Sequence, residues 1–252
     1  MCTVITLFQA RGDYPLVIAA NRDEHYDRPS GGPGVLDRPP AVLAGRDLRC
    51  GGTWFGITPR GMAVAVTDQA NTPGAEPRRS RGLLVLDALA CSSPAAVATL
   101  LDATPADEYA PFALLYADAR QGMIDYRTRQ DARREVLSPG LHVLVSGIGA
   151  DHAARRLARI HALLDPGRLA QLDVDALLAT LSGVLGAHAT APGADDAVCR
   201  HGDEAGTVSA FVAVLGSEAA ENRLFCALGP PCSTPLRDQS RLFAELATVV
   251  RA

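Results

Sequence analysis

The order of apolar patterns along the chain is its most restrictive feature: strand-like runs come first, helical spacing follows, strands return, and a helix closes the chain. Residues 3–9 and 16–20 are short apolar runs separated by Arg11-Gly12-Asp13-Tyr14-Pro15, which reads as a β-hairpin. Residues 51–57 and 61–67 read as a second strand pair turning at Pro59-Arg60-Gly61. Segments 27–40, rich in Pro, Gly and Arg, and 71–79, polar and Pro-containing, read as exposed loops. Helical spacing begins near Ser80, a candidate N-cap, with Leu83, Leu84, Leu86, Leu89 and Ala90 on one side. A second short helix follows Ser92-Ser93-Pro94. Strands are expected at 112–116, 122–126 and 141–145, then amphipathic helices at 151–164 and 173–185. Strands return at 206–215 and 223–228, and the last helix lies near 236–249. Strict βαβ alternation is missing, so the pattern predicts an α+β layered fold with antiparallel sheets, built as one domain over residues 1–252.

Composition narrows the function classes. A chain of 252 residues with 48% apolar content can bury a core without disulfide or metal staples. A net charge of −4 argues against a nucleic-acid binder, which is usually basic. No apolar run approaches the roughly 20 residues of a membrane span, and no basic-then-apolar leader opens the chain. The cytosol is therefore the expected compartment, with the six cysteines as free thiols. None of them is spaced like a zinc knuckle or a redox pair, so no metal cage is expected. No Gly-rich phosphate loop is found, and a small-molecule substrate is the expected partner; oligomeric state is not readable.

Cys2 is the first candidate for chemistry. Aminopeptidases remove Met1 before a small residue, which would leave a thiol and a free α-amine on one residue. The amine titrates ordinarily at about 7.7–8.0 and the thiol at about 8.5, so proton exchange between them is nearly isoenergetic. An N-terminal amine activating its neighbouring nucleophile is an attested arrangement. The bland alternative is a common second-position residue without a role. The apolar run 16–20 then ends in Asn21-Arg22-Asp23-Glu24-His25, which places charge at a strand end beside the Cys2 strand. Asp23 would hold the ammonium and Arg22 would favour the thiolate, unless the segment is an ordinary solvated turn.

These residues also form a recognisable set. Met1-Cys2-Thr3, Ala20-Asn21-Arg22-Asp23-Glu24, Arg28-Pro29, Gly45-Arg46-Asp47, Gly51-Gly52-Thr53-Trp54-Phe55-Gly56 and Ser80-Arg81-Gly82 resemble the NRDE-motif family, also called transport and Golgi organisation protein 2-like. Cys199-Arg200-His201-Gly202, Gly206-Thr207-Val208-Ser209 and Gly229-Pro230-Pro231-Cys232 are similar to segments of the acyl-coenzyme A:6-aminopenicillanate acyltransferase group. Both resemblances imply the four-layered αββα N-terminal-nucleophile hydrolase fold with two stacked antiparallel sheets. In the cysteine branch of that superfamily, Asn21-Arg22-Asp23 matches the segment that holds the α-amine. Three positions depart from the usual pattern: Ala20 stands where an Arg usually precedes the Asn, and Asp68, after Thr67, and Ser146 stand where Asn is common. An ionised Asp68 side chain cannot donate into an oxyanion hole, although its backbone N–H can.

The resemblance implies an amide hydrolase or acyltransferase with Cys2, Asn21, Arg22, Asp23, Asp68 and Ser146 at its centre. Thr67, Trp54, Phe55 and His201 are the substrate-side candidates. Trp54 and Phe55 stand beside glycines, where aromatics are more often core than pocket wall. His201 beside Cys199 reads as a metal pair, a haem ligand or a hydrogen-bonded strand histidine, and Cys232 reads as a turn residue. The enzyme reading needs no cofactor. The alternative implied by the same family is carriage of haem or a lipid-like ligand without turnover.

Overall fold

The computed structural model describes residues 2–69, 78–147 and 150–251. Its strands are β1 (Cys2–Phe8), β2 (Leu16–His25), β3 (Ser30–Leu36), β4 (Val42–Asp47), β5 (Phe55–Ile57), β6 (Ala63–Asp68), β7 (Phe112–Ala117), β8 (Gly122–Arg127), β9 (Ala132–Val136), β10 (Gly140–Val145), β11 (Ala205–Leu215), β12 (Arg223–Ala227) and β13 (Arg237–Asp238). The helices are α1 (Arg81–Leu89), α2 (Pro94–Asp102), α3 (Ala150–Leu163), α4 (Pro166–Leu169), α5 (Val174–Leu185) and α6 (Arg241–Arg251).

All strand pairs are antiparallel and form two sheets. One has the order β10-β1-β2-β11-β12-β13; the other runs β3 to β9 in chain order. The two sheets stack on a shared core. Val4, Phe8, Ile18 and Phe211 from the first sheet meet Leu43, Phe55, Ala65 and Leu115 from the second. The opposite faces are covered by helices. Val64, Val66 and Leu114 pack on α1 and α2, while Ile5, Val17 and Val212 pack on α3, α4 and α5. Strands covered on both faces explain why their sequences read as continuous apolar runs, without clean alternation. Small residues at Ala63, Ala65, Ala113 and Ala117 face the neighbouring sheet. Phe55 and Phe211 stack across the interface, with ring centroids 3.7 Å apart.

The helix starts follow their capping chemistry. Ser80, Ser93 and Asp173 each accept a backbone N–H in the first turn of α1, α2 and α5. Three expectations are corrected. The charged segment 21–25 does not end the second strand, because β2 continues through His25 and pairs with β11 along its whole length. Segment 27–40 is not all loop: β3 lies within it as an edge strand, with a register shift between Gly31 and Gly34 around Pro33. The Arg-rich β9, which periodicity missed, pairs with β8 at the other edge. Of the expected loop 71–79, residues 71–77 lie outside the described residues.

On β8, directly opposite Arg134 of β9, Asp125 is completely buried. It accepts hydrogen bonds from Tyr116 and from the guanidinium groups of Arg127 and Arg134, which also reach Asp102. Removing the carboxylate leaves the fully buried Tyr116 hydroxyl without its acceptor and takes one of two carboxylates from each guanidinium. Asp125→Ala is expected to cost about 3 kcal/mol in urea unfolding, the usual scale for breaking a buried ion pair.

Candidate functional site

The site follows from strand register. Cys2 opens β1 and lies opposite Arg22 on β2; on its other side β1 pairs with β10, which Ser146 follows. Ser146 N–H donates to the Cys2 carbonyl at 2.9 Å, and the Cys2 nitrogen donates to Ser146 Oγ at 2.5 Å. β6 brings Asp68 to the same place from the second sheet, where Gly147 N–H donates to its carbonyl oxygen at 3.1 Å. Cys2, Arg22, Asp23, Asp68, Trp54 and Arg81 line one cavity of about 170 Å³.

Alternation along β2 sends its polar residues two ways. Arg22 shares the inter-sheet face with Ile18 and Ala20, is 5% exposed, and stacks over the Trp54 ring at 4.2 Å. Asn21 and Asp23 belong to the opposite, helix-covered set with Val17 and Ala19. The Asn21 amide donates to the carbonyls of Leu185 and Val198, at 2.8 and 2.9 Å. It therefore ties β2 to the segment after α5, while its own side chain points away from the cavity. Asp23 accepts from Thr207 Oγ1 at 2.7 Å and from Arg156 at 3.3 Å, yet still reaches the cavity wall.

The electrostatics centre on the thiol. Burial pushes the Cys2 pKa up to about 11, and the carboxylates of Asp68 and Asp23 push in the same direction. Burial lowers the Arg22 pKa while Glu24 opposes it. Asp68 is paired with Arg81 at 3.1 Å, so a guanidinium donor stands where the Asp68 side chain supplies none.

The remaining candidates separate. Phe55 is 6% exposed and, with Trp54, Phe211 and Leu228, lines an apolar cavity of about 170 Å³ adjoining the first at Trp54. Thr67 is wholly buried with no partner for its hydroxyl, and it lines neither cavity. His201 is not at this site; it stands beside Cys199, Cys232 and His188. Sequence reasoning misses Arg156 and Thr207 as partners of Asp23: Arg156 comes from a distant, unremarkable helix, and Thr207 is visible only within the Gly206-Thr207-Val208-Ser209 motif. Arg81 was visible only as part of a motif.

The sequence profile of the Transport and Golgi organisation 2 family matches residues 1–216. The chain belongs to that family. A Transport and Golgi organization 2 homolog of Mus musculus is 32% identical over 160 residues, covering 59% of this chain and 58% of that protein. The Bos taurus homolog is 31% identical over 200 residues, covering 73% and 71%. The match therefore spans less than two thirds of the mouse relative. Among solved structures, the C2A mutant of conjugated bile acid hydrolase from Clostridium perfringens superposes with a TM-score of 0.56 at 12% identity. That match covers 96% of this chain and 93% of the other. Penicillin V acylase from Agrobacterium tumefaciens gives 0.50 at 11% identity, covering 90% and 83%. The fold of this member of the Transport and Golgi organisation 2 family is thus the α+β fold of N-terminal-nucleophile hydrolases. Among the described residues, no helix is long and apolar enough to cross a membrane.

The family glycines fit this geometry. A Cβ on Gly45 would fall 2.7 Å from Trp54 Cζ2, and one on Gly52 would fall 2.3 Å from the backbone of Gly82. Trp54 is the sole tryptophan, so its emission reports on the Arg22 stack. Gly45→Ala should displace the ring and shift that emission, whereas Gly34→Ala, with open space around it, should not.

At the rim, Arg28 clasps Asp47 through two contacts, at 3.2 and 2.6 Å. Burial raises the Asp47 pKa, but the Arg28 bond and the Arg49 amide outweigh it and hold the carboxyl below its usual range. A lowered folded-state pKa gives stability that is present above the ordinary carboxylate range and is lost as pH falls through the folded value. Acid unfolding should be less steep in Asp47→Asn, which at neutral pH should also be about 2 kcal/mol less stable.

Proposed function

We propose that the chain is an amide hydrolase or acyltransferase that uses Cys2, freed by removal of Met1, as nucleophile on a small linear amide or acyl substrate. The observation that carries this reading is the Cys2 residue itself. It sits at the start of an inner strand, with its nitrogen on Ser146 Oγ and Arg22 opposite, inside a charged cavity between two stacked sheets. The bile acid hydrolase that shares the fold is likewise known from a variant altered at a second-position cysteine.

In this reading the Cys2 thiol passes its proton to the α-amine and attacks the substrate carbonyl. Asp23, held by Arg156 and Thr207, keeps the resulting ammonium in place. Ser146 Oγ accepts from the same nitrogen and orients it. Negative charge developing on the carbonyl oxygen meets the guanidinium groups of Arg22 and Arg81, in place of the Asn donors that Asp68 and Ser146 replace. The tetrahedral intermediate then collapses to a thioester, and the ammonium returns its proton to the leaving amine. Water or an acceptor amine, deprotonated by the amine, attacks the thioester and releases Cys2. The apolar cavity beyond Trp54 suits a hydrophobic portion of the substrate.

That same apolar cavity favours a second reading, carriage of a lipid-like or haem ligand without turnover. The two readings part on covalent chemistry. An electrophilic amide probe should label Cys2 in the mature chain and leave Cys2→Ala unlabelled. Ser146→Ala should label roughly fivefold to tenfold more slowly, the effect of one neutral hydrogen bond. Labelling that is unchanged in Cys2→Ala, or a saturable haem Soret shift without any acylation, would overturn the enzyme reading.

A further inference from the structure

We propose that His188, Cys199, His201 and Cys232 form a tetrahedral site for a borderline-soft divalent cation, zinc above all. One donor atom from each residue lies within 4.8 Å of every other. His201 Nε2 is 3.2 Å from Cys232 Sγ and 3.7 Å from Cys199 Sγ. With Zn–N near 2.0 Å and Zn–S near 2.3 Å, the edges of a tetrahedral site measure about 3.3–3.8 Å. The 3.7 Å contact falls within that range and the 3.2 Å contact just below it. The His188 and His201 rings meet edge to face, with centroids 5.3 Å apart.

Ordinary hydrogen bonding serves these groups only in pairs. An imidazole nitrogen either donates one proton or accepts through one lone pair, so Nε2 can serve only one of its two sulfur neighbours. A central cation serves all four donors at once. Two thiolates and two imidazoles select zinc over magnesium or calcium, which take oxygen ligands. Binding would release the two thiol protons to solvent and leave both imidazoles neutral. Four protein ligands also fill the coordination sphere, which marks a structural rather than a catalytic site.

The location gives the ion a task. His188 follows α5, Cys199 and His201 precede β11, and Cys232 lies in the turn after β12. The ends approach closely, since a Cβ on Gly186 would stand 3.4 Å from the Cys232 backbone. Between the ligands, Arg200 N–H donates to Thr207 Oγ1 and the Arg200 carbonyl accepts from Thr207 N–H. Thr207 Oγ1 in turn donates to Asp23. The ion would clamp the segment that presses Thr207 against Asp23. None of this rests on Cys2 being a nucleophile.

The test uses the untagged full chain, produced with zinc and purified under reductant without chelator. Metal analysis should find one zinc per chain. Occupancy should fall close to zero in His188→Ala and Cys232→Ser and stay at one in Cys2→Ala. Cobalt(II) added to the zinc-stripped, unaltered chain should give thiolate-to-metal charge-transfer bands and tetrahedral d–d bands, both erased by zinc. That readout stands even if a variant fails to fold. A zinc-free chain whose cobalt spectrum lacks those bands would overturn the proposal. So would an ion retained in both variants, or a Cys199–Cys232 disulfide that persists under reductant.

Discussion

The antiparallel register of β1 on β2 is the constraint on which the cavity depends. Pairing Cys2 with Arg22 sets the first side chain of the inner strand against a cation, on the face between the sheets. A slip by one residue would turn Cys2 and Arg22 into the helix layer and bring Asn21 and Asp23 into the sheet interface. The hydrophobic alternation of β1 and β2 forbids that slip. Val4, Ile18 and Ala20 must face the second sheet, and Ile5, Val17 and Ala19 must face α3 to α5.

This division of one strand between two layers gives its polar residues separate duties. Arg22 and Trp54 line the cavity, while Asn21 anchors β2 to the end of α5 and the segment before β11, and Asp23 anchors it to Thr207 of β11. Asp23 is 3% exposed and carries its charge against Arg156, itself 7% exposed. A buried pair of this kind is held by its hydrogen bonds more than by net electrostatic gain. Those bonds fix the carboxylate where its charge acts on Cys2.

Much of this was legible in the sequence. Block order gave the α+β class, and the spaced motifs around Cys2, Asn21-Arg22-Asp23 and the Gly-rich Trp54 segment pointed to the family and its fold. The failures have physical causes. β2 was cut short because its last residues are charged, and only the pairing with β11 and the partners Arg156 and Thr207 make them tolerable in a strand. β3 was missed because its Gly and Pro residues are an edge strand's bulge chemistry. His201 was placed with the substrate residues because chain position cannot show that it folds against Cys232 and His188, which lie on separate segments. Thr67 was placed there too, although β6 turns its hydroxyl into closed packing.

Under the proposed function, Met1 removal would convert an unreactive, half-buried Cys2 thiol into a reactive one by placing an ammonium on the same residue. The most direct measurement is the pH dependence of Cys2 alkylation, mapped by mass spectrometry, in chains that retain or lack Met1. In the Met1-retaining chain the Cys2 thiol should react only as pH approaches about 11. In the processed chain its apparent pKa should fall well below that value, so that Cys2 is alkylated readily at neutral pH. Identical profiles in the two chains would show that the α-amine does not activate Cys2.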